Sequence, residues 1–155
     1  MKMLLAAGLA FAALALPAHA APPSPADGVA LRLLAVSADE AWDARDADRM
    51  AAYYAPDASL LVGSTEAPQV HGREAVRAYY AKSFGGRVGT LRHVSDVKGT
   101  DMLTPDLALS DVAVRVEERQ ADGSWKLVRR FDNVSLAVRQ GGGWMLKAVR
   151  AYPAT

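Results

Sequence analysis

The sequence predicts an α+β domain in which a curved antiparallel sheet packs over N-terminal helices. Two observations carry this prediction. Residues 29–84 contain three segments with apolar side chains at helical spacing, interrupted by one short β-rich segment. Residues 90–152 change to four β-rich segments with period-two alternation, joined by turn residues. Helices followed by long strands are typical of this class, because sheet and helices bury their apolar faces against each other.

The first two helices are predicted from their apolar spacing and their caps. The first covers residues 29–45, with Asp27 as its N-cap. The second covers residues 47–54, with Asp46 as its N-cap. Pro56 ends this helix, since the residue before a proline is displaced from helical geometry.

A short strand at residues 59–63 and a third helix at 73–84 follow. Gly72 marks the helix start. His71 lies just outside the helix, where a solvent-facing or capping role is favoured over catalysis. The apolar face of this helix contains Val76, Tyr79, Tyr80 and Phe84.

The second half of the chain is predicted to be an antiparallel meander. Its turns are expected at residues 101–106, at Asp122-Gly123 and at the glycines 141–143. The strands are expected at residues 90–99, 107–120, 125–140 and 144–152.

Residues 1–20 have the layout of a secretory signal peptide. Lys2 gives a basic start, residues 4–16 are apolar, and Ala18-His19-Ala20 is a small-residue cleavage pattern. The apolar run is shorter than the roughly 20 residues that a membrane span needs. We therefore expect cleavage after Ala20, a periplasmic or secreted location, and no membrane association of the mature chain.

The mature chain predicts one domain at residues 29–153, after a Pro-rich lead-in at 21–28. It carries 17 basic and 17 acidic residues, and this balance argues against nucleic acid as a partner. The sequence contains no cysteine. Because only His71 and His93 remain after processing, we expect no metal site and no cofactor.

Three segments carry a family resemblance: AWDARDADRMAAYYAPDASLLVG (41–63), HGREAVRAYYAKSF (71–84) and GGGWMLKAVRAY (141–152). With them the chain resembles the SnoaL-like and steroid-isomerase-like branch of the nuclear-transport-factor-2-like superfamily. The resemblance implies a cone: a strongly curved antiparallel sheet wrapped on three helices, enclosing a pocket. It also implies that sheets of two copies commonly pair as a homodimer.

Ketosteroid isomerases of this branch use an aspartate base, a tyrosine and a second, protonated acid. The resemblance places Ala38 at the position of the tyrosine and Val62 at that of the base, so both groups are missing. The second acid follows an apolar residue in a long strand, and Phe131-Asp132 matches that pattern. Steroid isomerisation by the same set of groups is therefore not expected.

Asp132 is the first catalytic candidate. Strand alternation puts it on one face with Val128, Val134, Leu136 and Val138, where desolvation would favour its neutral form. The alternative is a structural ion pair with Arg130, two residues back on the same face. His93 is the second candidate, since histidine transfers protons near neutral pH. Its alternative is a surface or hydrogen-bonded core residue.

Aromatic side chains complete the candidate site. A pocket that they line suits a small apolar or aromatic molecule with one or two polar groups. The expected pocket residues are Trp42, Tyr53, Tyr79, Tyr80, Arg130 and Tyr152. The sequence thus favours an exported small-molecule-binding or accessory protein. The alternative is a cofactor-independent lyase, isomerase or cyclase that uses Asp132 and His93.

Overall fold

The computed structural model describes residues 20–154, which form three helices and one six-stranded sheet. The predicted signal peptide lies outside the described residues, apart from Ala20. Within residues 20–154, no helix combines the length and apolar character that a bilayer span requires. The elements in chain order are α1 Pro25–Asp43, α2 Ala47–Ala52, β1 Tyr54–Val62, β2 Val70–His71, α3 Arg73–Gly85, β3 Leu91–Thr104, β4 Leu107–Arg119, β5 Trp125–Gln140 and β6 Gly143–Pro153.

The sheet has the strand order β2-β1-β6-β5-β4-β3. Strands β3 to β6 form the predicted antiparallel meander, and β1 pairs with β6 in parallel. The sheet curls without closing, and the helices cover its inner face. The predicted α+β cone is therefore confirmed.

The start of α1 differs from the sequence prediction. Its N-cap is Ser24, whose hydroxyl accepts a hydrogen bond from the Asp27 backbone N–H at 3.1 Å. Pro25 follows as the first helical residue, which suits its fixed φ. Asp27 is not the cap. Its carboxylate instead accepts hydrogen bonds from Arg139 Nη2 at 2.6 Å and Trp144 Nε1 at 3.2 Å, which fasten α1 to β5 and β6.

The other two helix starts were predicted correctly. Asp46 caps α2 by accepting a hydrogen bond from the Arg49 backbone N–H at 2.9 Å. Gly72 precedes α3 with φ at +84°, a conformation that side chains with a Cβ rarely adopt.

The first strand is longer than the sequence indicated. Strand β1 begins at Tyr54, so the second helix ends at Ala52 and Pro56 lies inside the strand. Proline is tolerated there because β1 pairs only with the two-residue β2 on one side, at Ser59 and Leu60. Strand β2 itself was not predicted, since two residues carry no periodicity.

Two apolar clusters hold the helices on the sheet. The larger one joins α2 and α3 to β1 and β6, with Leu60 and Val76 fully buried at its centre. The smaller one packs Leu31 and Leu34 of α1 against β4, β5 and Trp144 of β6. Between these two clusters and the bend of the sheet, side chains do not fill the inside of the cone, and this leaves a cavity.

Candidate functional site

The curved sheet and the helices enclose a cavity of about 430 Å³. Its wall is mainly apolar, and β4 contributes Val112, Val114 and Val116 at every second position because strand side chains alternate between faces. Cavities of about 300–1,000 Å³ with an apolar wall and a few polar groups are typical of small-molecule sites. The cavity is therefore the candidate functional site.

A histidine–aspartate pair lies in the cavity wall. His93 Nδ1 of β3 is 2.6 Å from Asp39 Oδ1 of α1, and the His93 side chain is 20% exposed. Ser95 holds the carboxylate in place, because its hydroxyl donates to Oδ1 and its backbone N–H donates to Oδ2, each at 2.7 Å. A carboxylate oxygen only accepts, so this contact requires a proton on Nδ1, and the neutral tautomer that satisfies it has its lone pair at Nε2. Among the described residues, Nε2 makes no hydrogen bond.

A second carboxylate fixes the same strand to α1. Asp43 Oδ1 accepts a hydrogen bond from the His93 backbone N–H at 2.6 Å. Burial raises the pKa of the Asp43 carboxyl, and this backbone hydrogen bond opposes that effect. Asp39 and Asp43 lie one helical turn apart, so together they position His93 through both its ring and its backbone.

A stacked guanidinium forms the next part of the wall. Cζ of Arg87 lies 3.2 Å from the centre of the Trp42 ring and 4.1 Å from that of Phe84. Nη1 donates to the Trp42 carbonyl at 3.1 Å. Desolvation lowers the pKa of Arg87 to about 10, so the group stays protonated at neutral pH. The Trp42 ring also contacts the His93 ring, with 5.1 Å between centres, so Arg87 and His93 flank one indole.

Two buried polar atoms of the wall have no hydrogen-bond partner among the described residues. They are Nη2 of Arg87, a donor, and Oδ1 of Asn133, an acceptor on β5. Buried polar atoms in folded proteins are nearly always hydrogen-bonded, because an unpaired one costs about 1–3 kcal/mol. Both side chains line the cavity, so a bound molecule is a candidate partner for this donor and this acceptor.

A buried tyrosine pair lines another part of the cavity. The hydroxyls of Tyr54 and Tyr80 are 3.0 Å apart. Burial raises the pKa of Tyr80 to about 12 and raises that of Tyr54 well above its usual value. Both phenols are therefore neutral at physiological pH and act as hydrogen-bond donors and acceptors.

The tyrosine pair predicts a loss of stability in alkali. The folded-state pKa values lie above the unfolded value of about 10, so the stabilisation is complete below pH 10 and is lost as pH rises towards 12. The free energy of unfolding should fall by at most about 1.4 kcal/mol per pH unit for each tyrosine. Urea unfolding of wild type and Tyr80→Phe at pH 8, 10 and 11 measures this. The variant should show a shallower pH dependence, with Tyr152→Phe as the control. Equal slopes in wild type and Tyr80→Phe would contradict the prediction.

The structure brings four of the sequence-predicted site residues to the cavity wall. They are Trp42, Tyr79, Tyr80 and His93. Of each adjacent tyrosine pair, Tyr80 and Tyr54 are buried, whereas Tyr79 is half-buried. His71 is exposed on β2, as expected.

Asp132 does not face the cavity, which corrects the sequence prediction. It lies with Arg130 in a groove of about 370 Å³ on the outer face of the sheet. The apolar residues expected on its face do not form a core: Val134 is 40% exposed, and Val128, which is 49% exposed, lines the cavity instead. The residue that lines the cavity is Phe131. A shift of one residue along a strand moves a side chain to the opposite face. His93 and Asp132 therefore do not converge.

Three other predicted positions also differ. Arg130 is exposed on the outer face, and the ion pairs found among the described residues include none between it and Asp132. Tyr152 is the β6 partner of Asp132 and shares the outer face. Tyr53 packs against the two apolar clusters, and its hydroxyl accepts a hydrogen bond from Arg49 Nε at 3.2 Å.

Sequence reasoning missed several polar residues of the wall, among them Asp39, Arg87 and Asn133. Asp39 had a usable signal. With Ala35 and Trp42 it occupies positions i, i+4 and i+7 of a helix, so it interrupts the apolar stripe with a carboxylate. Asn133 would have been found by choosing the other parity of β5. Arg87 lies in a loop after Gly85-Gly86. A loop has no periodic pattern from which the direction of a side chain could be predicted.

The SnoaL-like domain family matches residues 37–101, the segment that contains Asp39, Trp42, Arg87 and His93. Three solved structures share the architecture over most of the chain. One is a domain of unknown function with a cystatin-like fold from Nostoc punctiforme, with 20% identity, a TM-score of 0.73, and coverage of 86% of this chain and 80% of that one. The chain has the nuclear-transport-factor-2-like cone fold.

The other two structures extend this comparison. Aln2 from a Streptomyces species has 18% identity and a TM-score of 0.75, with coverage of 86% of this chain and 94% of that one. A ketosteroid isomerase-like protein from Erwinia carotovora atroseptica has 18% identity and a TM-score of 0.64, with coverage of 82% and 95%. No curated protein sequence matches the chain. At these identities the likeness shows the cone fold, and the function has to be argued from the site.

Proposed function

We propose that this protein binds a small, largely apolar molecule inside its cone. The observation that carries the proposal is the cavity of about 430 Å³, whose apolar wall contains a free donor and a free acceptor. Apolar surface supplies the affinity in such sites, and a few placed polar groups supply the orientation. The Trp42 ring and the two buried tyrosines give the wall flat, amphipathic surfaces that suit an aromatic or alicyclic ring.

A thermal-shift screen of the purified protein tests this proposal. The panel consists of naphthalene, indane and tetralone derivatives, each in neutral and acidic forms, with native mass spectrometry to establish stoichiometry. A ligand at 100 times its Kd stabilises the fold by about 2.7 kcal/mol, so a binder should raise the Tm by several degrees. The expected stoichiometry is one molecule per chain. If no panel member shifts the Tm at millimolar concentration, the proposal is contradicted.

A second candidate function is proton transfer on the bound molecule, and the His93–Asp39 contact of 2.6 Å favours it. In this hypothesis Nε2 removes a proton from a carbon next to a carbonyl, and the C–H electron pair forms the enolate. The imidazolium then returns the proton to another atom of the same molecule, as in a cofactor-independent isomerase, lyase or cyclase. Asp39 replaces Asp132 as the carboxylate partner and stabilises the imidazolium. One neighbour of the same fold is described as ketosteroid isomerase-like, which is consistent with this class.

Export and assembly remain predictions. Export rests on the pattern of residues 1–20. A homodimer formed through the sheet is supported by the exposed apolar side chains of Leu127 and Val134 on β5. An elution volume at the size of a dimer would agree with this prediction.

A further inference from the structure

The polar atoms of the cavity narrow the class of ligand beyond a small apolar molecule. Nη2 of Arg87 and Oδ1 of Asn133 both belong to side chains that line the cavity, and neither atom has a partner among the described residues. A ligand that left these two atoms unpaired would not recover the cost of their desolvation. The preferred ligand is therefore one that pairs both.

Arg87 is held in position by contacts that leave its buried Nη2 without a partner among the described residues. Its guanidinium stacks on Trp42, and Nη1 is occupied by the Trp42 carbonyl. Arg45, on the loop before α2, also holds the segment that carries Arg87, because its guanidinium donates to the carbonyls of Arg87 and Gly89 at 3.3 and 2.6 Å. A guanidinium fixed in this way is preorganised for an anionic oxygen, to which its hydrogen bonds are about twice as strong as to a neutral one.

The charge of the wall favours an anion as well. Among the described residues that line the cavity, Arg87 and Arg129 are cationic and Asp39 is the one acidic side chain. The Asp39 carboxylate already accepts from His93 Nδ1 and from both donors of Ser95. Arg87 makes no ion pair with a carboxylate in the described part of the chain, so its charge is balanced only at longer range, by Asp43. A half-buried cation without a contacting anion attracts one from solution.

We propose that the cavity takes a hydroxylated apolar carboxylic acid, whose carboxylate accepts from Arg87 Nη2 and whose hydroxyl donates to Asn133 Oδ1. This inference rests on the proposed binding function and adds the ligand class to it. The apolar ring or chain of the acid occupies the wall formed by Trp42 and the β4 valines. A neutral hydrocarbon of the same size would enter the same space with lower affinity.

Calorimetric titration with matched probes tests the ligand class. The probes are 2-naphthoates with a hydroxyl at the 3-, 6- or 7-position, the corresponding carboxamides, and 2-naphthoate without a hydroxyl. On the wild-type protein, the best hydroxynaphthoate should bind about 10- to 100-fold more tightly than its carboxamide, because a charge-assisted hydrogen bond becomes a neutral one. It should bind about 3- to 10-fold more tightly than 2-naphthoate.

Variants test the carboxylate contact and the hydroxyl contact separately, and one of them controls for the overall positive charge of the wall. Arg87→Gln should reduce the preference for carboxylate over carboxamide to about threefold or less, whereas Arg129→Gln, which removes the other cation of the wall, should keep most of it. Asn133→Leu should remove the preference for the hydroxyl and leave that for the carboxylate.

The comparison of probes on wild-type protein does not depend on how a variant folds. Equal affinities for carboxylate and carboxamide there would overturn the inference while the binding function stands. Equal losses in Arg87→Gln and Arg129→Gln would overturn the assignment to Arg87. If neither these probes nor the neutral panel bind, the proposed function itself is contradicted.

Discussion

Ser135→Trp is expected to abolish ligand binding and to leave the fold in place. Ser135 lies on β5 with its side chain at the cavity wall, and it belongs to neither of the two apolar clusters that pack the helices on the sheet. An indole at this position would fill much of the space in the cone. We expect the affinity of any ligand found in the screen to fall by about 100-fold or more. The ligand would lose apolar contacts with the wall, and these contacts supply a substantial part of its binding energy.

Val134→Trp is the matched control. Val134 is the preceding residue of the same strand, and its side chain is 40% exposed on the outer face. It receives the same substitution without entering the cavity, so the affinity measured by calorimetry should remain within about threefold of wild type. Circular dichroism and the urea midpoint of both variants report whether the fold is retained. Binding that survives in Ser135→Trp but fails in Val134→Trp would place the ligand on the outer face and contradict the cavity assignment.

The fold could be predicted because several residues indicate each helix or strand. The apolar stripe of α1, the cap at Asp46 and the alternation along β4 each agree with several neighbouring positions. The prediction was wrong where a helix boundary or a strand pairing depended on a single residue or on a distant segment. Ser24 rather than Asp27 caps α1, since a proline at the first helical position moved the start by about one turn. The parallel pairing of β1 with β6 joins segments from opposite halves of the chain, which no local pattern reports.

The candidate site was predictable only in part, for the same physical reason. The aromatic residues Trp42, Tyr79 and Tyr80 of α1 and α3 were placed correctly, because a helical stripe is several residues wide. Asp132 was placed on the wrong face, because both faces of β5 mix apolar and polar side chains. Phe131, Asn133 and Ser135 line the cavity, whereas Arg130 and Asp132 lie in the outer groove. Alternation therefore separates the two faces of this strand but does not identify which of them points inward.

His93→Gln is expected to reduce proton exchange on a bound ketone by about 100- to 10,000-fold, the usual contribution of a general acid–base group. The probe is 2-tetralone in deuterated buffer, with loss of the proton signals next to the carbonyl followed by NMR. Glutamine has no group that takes up a proton at neutral pH, yet its amide N–H can still donate to Asp39. The wall should therefore keep its shape, and calorimetry should show 2-tetralone bound with nearly unchanged affinity.

Two further variants distinguish a role of His93 in proton transfer from a structural role. His71→Gln removes the other histidine of the described chain, which is exposed on β2, and should leave the exchange rate unchanged. Asp39→Asn acts through His93 and is a positioning variant. Its ¹⁵N spectrum should show that the proton is no longer confined to Nδ1, because an amide can donate to that atom as well as accept from it. If His93→Gln and wild type exchange the ketone protons equally fast, proton transfer by His93 is excluded and the protein acts on its ligand by binding alone.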